Sequence, residues 1–275
     1  MGENRVTGVK FNGRFLASLT VQNVKSGQVK LYKFYPSEKD LVTALRLGAV
    51  RKAVGLHSPD DFADDPYYHV TTSVDNNAEA VIFFNTAKSP FEDKTFRQGL
   101  VYALPDSFSG ETPAASPFPN GHWAQTNSVK IYSYNPVLAK KALEKEASGS
   151  AGLKITLTSS KELLDIAKVA AAAWEKAGIK TEIVESPVIP VNFDAYLAIV
   201  DLPSDPDQYA LWHSTQTGNI AAYKSFKVDK LLEEGRRTVG QAARLDVYRA
   251  FEKAITEDVP AAFLFYPKVY TILRG

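Results

Sequence analysis

The sequence predicts an α/β fold with a small β-rich segment at the N-terminus. Short apolar runs of β-forming residues end at turn-forming residues, and between them apolar side chains recur at helical spacing. Residues 153–184 combine both patterns as strand, helix and strand. Such a unit is typical of a right-handed crossover between parallel strands, so helices are expected to cover the sheet.

Composition limits the classes of function. The chain has 275 residues, enough for one large domain or two smaller ones, and a formal net charge of +1. This balance gives no support for nucleic acid or an anionic membrane as the main partner. Cysteine is absent, which excludes disulfides, thiol catalysis and cysteine-based metal sites. No apolar run approaches the roughly 20 residues that span a bilayer, and the opening residues lack the apolar core of a signal peptide.

The N-terminal part is predicted to be mainly β. Residues 9–35 are expected to form short strands, with a turn at residues 25–27. Residues 37–40 resemble a capping box and predict a short helix that ends at Gly48. Residues 58–68 are acidic but lack the D-x-D-x-D-G order of a calcium loop, so we expect a solvated loop.

Residues 81–104 predict a strand, a turn and an amphipathic helix. The apolar run ends at Asn85-Thr86, and Asp93 suits an N-cap because its carboxylate can accept hydrogen bonds from the first-turn amides. Apolar residues then recur at helical spacing, at Phe96, Leu100, Val101 and Leu104.

The rest of the chain continues the α/β pattern after a proline-rich connection at residues 105–133. Asn135-Pro136 predicts a helix start, and Ser159 with Glu162 predicts a further capping box. Strands are predicted at 193–200, 261–266 and 269–273, and helices begin at 228 and span 242–257.

The residues at 81–104 also carry a resemblance. F-N-T…P-F-E-D…R-Q-G-L-V-Y-A-L resembles the F-N-T…P-F-x-D-x-x-x-R-Q-A-L-x-Y-A motif of the family 5 extracellular solute-binding proteins. Further blocks are similar to that family, in its order: Y-P-S-E-K-D-L-V-T-A-L-R-L-G-A-V at 35–50, Y-N-P-V-L-A-K-K-A-L-E-K-E-A at 134–147, A-G-I-K-T-E-I at 177–183 and F-D-A-Y-L-A-I-V-D-L-P-S-D-P-D-Q-Y at 193–209.

The resemblance implies a lobe of the type II periplasmic-binding-protein kind, with a mixed sheet flanked by helices. Family members have two lobes that close on a ligand. On this basis residues 1–70 are expected to be a remnant of the first lobe and residues 71–260 the second lobe. Residues 261–275 are then expected to be closing strands that return toward the first lobe. The opening residues are interpreted as a truncation.

The resemblance also suggests a solute site. In peptide-binding relatives a carboxylate before the D-P-D sequence pairs with the free amine of the ligand, since a buried ammonium needs a charged acceptor. Asp201 is the candidate here, and a solvated loop carboxylate is an equally open interpretation. Asp205-Pro206-Asp207 is expected to cap the following helix, with Asp205 accepting backbone amides.

A second group of candidates follows the D-P-D sequence. Trp212 could form an apolar wall, and polar neighbours could donate and accept hydrogen bonds. The polar candidates are His213, Ser214, Gln216 and Asn219. A buried tryptophan beside a polar helix end is the open alternative.

These patterns favour a binding protein over an enzyme. We expect the substrate-binding component of an ABC importer, with a peptide or similar small solute and a membrane permease as partners and no cofactor. It would be periplasmic or extracellular, membrane-associated at full length. A Ser/His hydrolase is unfavourable because Ser214 and His213 are adjacent and no G-x-S-x-G elbow occurs. No metal site is expected, since the histidines are isolated. An isolated lobe that acts by protein contact, with a possible dimer, remains the alternative.

Overall fold

The structure, a computed structural model, describes residues 2–147 and 153–275. The strands are β1 (Asn4–Asn12), β2 (Phe15–Asn23), β3 (Val29–Lys33), β4 (Lys52–Leu56), β5 (Tyr68–Val74), β6 (Ala78–Phe84), β7 (Thr112–Pro113), β8 (Lys154–Ser159), β9 (Lys180–Glu185), β10 (Ala195–Asp201), β11 (Ala261–Tyr266) and β12 (Lys268–Arg274). The helices are α1 (Glu38–Arg46), α2 (Lys94–Ala103), α3 (Pro136–Ala147), α4 (Leu164–Lys176), α5 (Tyr209–Trp212), α6 (Phe226–Arg237) and α7 (Gln241–Asp258). None of these helices, within the described ranges, is long and apolar enough to cross a bilayer.

The chain divides into two compact units. The first contains the residues up to Ser73 together with Lys268–Gly275, and the second is Val74–Pro267. The predicted closing segment 261–275 is therefore divided at Pro267: β11 belongs to the second unit and β12 to the first. Residues 148–152 of the predicted second lobe lie outside the described residues.

The first unit contains two small sheets. In one, β1, β2 and β3 pair as an antiparallel meander, and none of residues 2–34 is buried. In the other, β12 lies between β4 and β5. A small core packs this second sheet against α1, and it consists of Leu45, Ala53, Leu56, Phe62 and Ile272.

The second unit is built on one six-stranded mixed sheet, in the order β7-β11-β6-β10-β8-β9. As the β-α-β pattern predicts, β8 runs parallel to β9, and β8 is also parallel to β10. The central strand β6 is antiparallel to both of its neighbours, β10 and β11. The fold class is thus confirmed as α/β with a mixed sheet.

Helices cover both faces of this sheet. Every residue of β6 is therefore buried, and its side chains alternate between two cores. Ala80, Ile82 and Phe84 face a core that α2, α3 and α4 complete. Val81 and Phe83 face a second core formed with α5, α6 and α7. A continuous apolar strand is what a sheet covered on both sides requires.

Local signals placed most helix starts correctly. Asp93 accepts a hydrogen bond from the backbone N–H of Thr95 at 2.7 Å, which confirms the predicted N-cap of α2. Ser37 caps α1 in the same way through Asp40 N at 3.1 Å. The capping box at Ser159 is wrong, because Ser159 is the buried last residue of β8 and its hydroxyl donates to the carbonyl of Ser160.

Candidate solute-binding site

Asp201 lies at one end of the central sheet. It is the last residue of β10, it is exposed, and it pairs with Ala78 at the start of β6. The next residue, Leu202, donates its backbone N–H to the carbonyl of Asn77 at 2.6 Å. Among the described residues no side chain pairs with its carboxylate, so this charge is open to solvent and to a ligand.

A buried carboxyl group lies beside this end of the sheet. Glu79, which pairs with Val200 across the β6–β10 ladder, is fully buried, and neither of its carboxyl oxygens has a hydrogen-bond partner among the described residues. Burial raises the pKa of Glu79 well above its usual range. Burial and then the charge of Glu79 raise the pKa of Tyr266, whose hydroxyl donates to the Phe118 carbonyl at 2.8 Å.

Sequence reasoning missed Glu79. The signal was present, since Glu79 is the one charged residue in the otherwise apolar run Ala78–Phe84. In a strand buried on both faces, such a residue is a candidate for a special role.

The D-P-D sequence supports the loop after β10. Arg244 binds Asp205 through both terminal nitrogens, at 2.9 and 2.6 Å, and this pairing lowers the pKa of Asp205. As predicted, Asp205 accepts a backbone amide, that of Asp207 at 3.0 Å, whereas the first amide of α5, that of Tyr209, donates to Asp207 Oδ1 at 3.1 Å. Asp207 also accepts from Arg236 at 2.7 Å.

Trp212 belongs to the core. It is buried, and its indole N–H donates to Gln208 Oε1 at 2.8 Å. Its ring packs near Phe83 and Phe263, with centroid distances of 5.8 and 6.2 Å. Any effect of Trp212 on a ligand therefore acts through the position of the segment around it.

Asn219 has a similar internal role. Its side-chain amide donates to the Tyr223 carbonyl at 2.7 Å and accepts from the Tyr223 N–H at 3.1 Å. It also donates to the His213 carbonyl at 3.4 Å. The buried amide thus joins the two ends of its loop, and its hydrogen-bonding groups are occupied.

His213 and Ser214 line a separate pocket of about 230 Å³, and Gln216 bonds to a third lining residue, Thr215. The His213 ring stacks on Tyr209 with a centroid distance of 4.1 Å. Ser214 Oγ donates to Asp229 at 2.5 Å, and the Gln216 amide donates to Thr215 Oγ1 beside the pocket at 3.0 Å. Ser214 is therefore bonded to Asp229 rather than to His213, and the pair that a hydrolase needs is not formed.

The structure does not bring Asp201 together with this pocket. The segment after α5 returns to the opposite end of β6, where the Thr86 N–H donates to the Ala221 carbonyl at 2.9 Å. Because a strand rises about 3.3 Å per residue, the two ends of β6 are about 20 Å apart. The predicted site residues thus fall into two groups.

The family model described as bacterial extracellular solute-binding proteins, family 5 Middle, matches residues 22–221. The chain belongs to this family. The chain is similar to the oligopeptide-binding protein AppA of Bacillus subtilis, with 30% identity over 222 residues. That sequence similarity covers 68% of this chain and 41% of AppA, so the aligned region is less than half of that relative.

Solved structures show the same fold for the family 5 chain. The substrate-binding protein CtaP of Listeria monocytogenes superposes with a TM-score of 0.80 at 18% identity, over 99% of this chain and 61% of that protein. The structure of B. subtilis AppA in complex with a nonapeptide superposes with a TM-score of 0.72 at 21% identity, over 100% of this chain and 62% of AppA. The lobe is therefore of the type II periplasmic-binding-protein kind, as the sequence predicts.

Proposed function

We propose that this chain is part of the substrate-binding component of an ABC importer and binds a peptide or a similar small polar solute. Family membership and the likeness to a peptide-bound AppA support the solute-binding role. Delivery of the solute to a membrane permease, outside the cytoplasm, follows from the same proposal.

The exposed carboxylate of Asp201 carries the proposal. It stands at the end of a buried, hydrogen-bonded strand, so its backbone is held in place, and no cation of the described chain neutralises it. A ligand ammonium that is taken out of water needs such a charged acceptor. We assign to Asp201 the role of binding the free amine of the solute.

The other predicted residues support binding less directly. Trp212 and Asn219 hold the segment after α5 in its fold and make no contact at the Asp201 end. His213 and Ser214 line the separate pocket, Gln216 bonds to Thr215 beside it, and none of the three is needed for the role of Asp201.

Calorimetry tests the proposal. The chain is titrated with a pool of di- to pentapeptides, alongside Asp201→Asn and the matched control Asp165→Asn, whose side chain is 92% exposed on α4. We expect binding by the wild type and the control, and at least about a tenfold loss in Asp201→Asn, since a charge-assisted hydrogen bond contributes about 1.5–3 kcal/mol. Absence of heat in the wild type contradicts peptide binding by this chain. If Asp201→Asn binds peptides as tightly as the wild type, Asp201 does not bind the amine of the ligand.

A protein-interaction module is the second candidate. It is favoured by the large apolar side chains that the β1–β3 sheet exposes, including Phe11 at 65%, Val29 at 58% and Leu31 at 58% exposure. Light scattering coupled to size exclusion tests it: a concentration-dependent dimer that Leu31→Lys abolishes supports this candidate. A monomer at all concentrations that binds peptides tightly contradicts it.

A further inference from the structure

A polar pocket on the second unit is formed by the segment after α5 and by one face of α6. Its volume is about 230 Å³, and residues that line it include His213, Ser214, Phe226, Asp229 and Glu233, with Thr215 and Lys230. It combines the imidazole of His213, the ammonium of Lys230 and two carboxylates with an aromatic side chain. It is separate from the Asp201 end of the sheet.

Stacking on Tyr209 fixes the orientation of the His213 ring. His213 stacks on Tyr209 at 4.1 Å, and the guanidinium of Arg236 lies over the same tyrosine ring at 3.9 Å. Arg236 is itself held by Asp207 at 2.7 Å. The imidazole is only 5% exposed, so little of it is available to water.

The hydrogen bonds around His213 assign its proton. Thr215 Oγ1, which accepts from the Gln216 amide, lies 2.8 Å from His213 Nδ1. The Thr215 backbone N–H also points to Nδ1, at 3.3 Å. Nδ1 is therefore an acceptor, and the neutral ring carries its proton on Nε2.

That Nε2–H group has no hydrogen-bond partner in the described part of the chain. The nearest carboxylate oxygen, Glu233 Oε1, is 3.5 Å away and not aligned for a hydrogen bond. A buried donor without a partner is costly, and a ligand atom that accepts from it removes that cost. Nε2–H and Glu233 Oε1 thus present a donor and an acceptor to one point in the pocket.

The chemistry of this point selects the ligand. An ammonium has no lone pair to accept from Nε2–H. An anion would meet the two carboxylates of Glu233 and Asp229 against the single ammonium of Lys230, so the net charge of the lining disfavours it. A metal ion would need a lone pair on Nε2, and within the described residues no group of three or more His, Asp or Glu side chains could hold one. A hydroxyl group satisfies both partners, since it accepts from Nε2–H and donates to Glu233.

We infer that this pocket binds a neutral polyhydroxylated ligand, a sugar ring or a polyol. The Asp229 carboxylate, held by the Ser214 N–H at 2.8 Å and by its hydroxyl, offers a further acceptor for a neighbouring hydroxyl. Phe226, which is 86% exposed at the start of α6, supplies an apolar face for the C–H groups of the ring. This inference goes beyond the proposed function, because it concerns a second site on the same unit.

Nuclear magnetic resonance of the His213 side chain tests the inference. Wild-type protein is titrated separately with D-glucose, glycerol, sodium phosphate and methylamine, and the His213 signals are assigned with His213→Phe. We expect D-glucose to shift the His213 Nε2 resonance in the millimolar range, with glycerol weaker and the ions without effect. Absence of a shift with D-glucose, or a shift with phosphate or methylamine alone, overturns it.

Two variants make the test specific. Glu233→Gln should weaken D-glucose binding by at least about tenfold, because a charged acceptor is lost. Glu234→Gln, the neighbouring exposed residue of α6, should leave binding unchanged. Asp201→Asn should also leave it unchanged while it weakens peptide binding, so the two proposals fail or succeed separately. Equal binding by Glu233→Gln and wild type contradicts the site.

Discussion

The guanidinium of Arg97 donates from Nε to the carbonyl of Val259 at 2.7 Å and from Nη2 to the carbonyl of Asp258 at 2.5 Å. Because Arg97 belongs to α2, these bonds connect α2 to the C-terminal end of α7. Its third nitrogen, Nη1, donates to the carbonyls of Phe91 and Glu92 at 2.6 and 3.1 Å. Arg97 is 4% exposed, and its bonds to the carbonyls of Val259 and Phe91 are buried, so water cannot readily replace it at these two acceptors.

The substitution Arg97→Lys should therefore destabilise the second unit by about 3 kcal/mol. A lysine keeps the charge but cannot reach carbonyls on two sides at once, and it leaves buried acceptors unpaired. Urea unfolding measures the change. The control Arg237→Lys, at a side chain 79% exposed, should change the free energy of unfolding by less than about 0.5 kcal/mol. Equal destabilisation by Arg97→Lys and Arg237→Lys would contradict the role of Arg97 in holding the end of α7.

The substitution Gly99→Ala should destabilise the contact between α2 and α3. A Cβ atom at Gly99 would lie 2.8 Å from Leu143 Cγ and 2.9 Å from the Cβ of Ala142. Overpacking costs about 1–3 kcal/mol, which outweighs the gain of about 1 kcal/mol in helix propensity. In a Leu143→Ala background the same change should cost less, because only the contact with the Cβ of Ala142 remains. Thermal or urea unfolding of the four proteins checks the sign, and stabilisation in the wild-type background would contradict the packing.

The substitution Asn219→Ala should lower the free energy of unfolding by about 2–4 kcal/mol. It removes the two hydrogen bonds that satisfy the buried N–H and carbonyl of Tyr223. Asn127→Ala, at an exposed asparagine, is the control and should have little effect. Peptide affinity of the folded Asn219→Ala variant should match the wild type, since Asn219 lies at the end of β6 away from Asp201. A selective loss of affinity without a loss of stability would instead make Asn219 a ligand contact.

The substitution Glu79→Gln should change how stability depends on pH. The folded-state pKa of Glu79 is raised above its ordinary value of 4.5, so its protonated form favours the folded state. The stability of the wild type is then fully present below about pH 4.5 and is lost as the pH rises toward the folded-state pKa. Glutamine cannot ionise, so the variant should gain on the wild type with rising pH. Urea unfolding between pH 4 and pH 8 measures this, and parallel curves for wild type and variant would contradict a buried, unpaired Glu79.

Local patterns in the sequence predicted much of the fold. The apolar run that ends at Asn85 indicated the strand β6, and Asp93 indicated the start of α2, because both signals depend on near neighbours in the chain. Ser159 was predicted to be a helix cap but is the last residue of β8. A serine is compatible with both positions as long as the sheet register is unknown.

The arrangement of the candidate site could not be predicted in the same way. Asp201 was a candidate because of the family resemblance, and His213 because it lies in a run of polar side chains after the D-P-D sequence. In the structure β10 ends at Asp201, whereas the segment after α5 returns to the other end of β6, so the two residues serve different surfaces. The unpaired state of Glu79 also depends on strands that are distant in the sequence, namely β10 and β11.

The sequence by itself determined the α/β class, most helix starts, the parallel β8–β9 unit and the family, because periodicity, capping and motif order are properties of consecutive residues. Only the tertiary structure decided that β6 lies between β10 and β11, that Arg97 holds the end of α7, and that Asp201 and His213 lie apart. The physical reason is that sheet order and register bring together residues far apart in the chain, and only there are burial, pairing and charge defined.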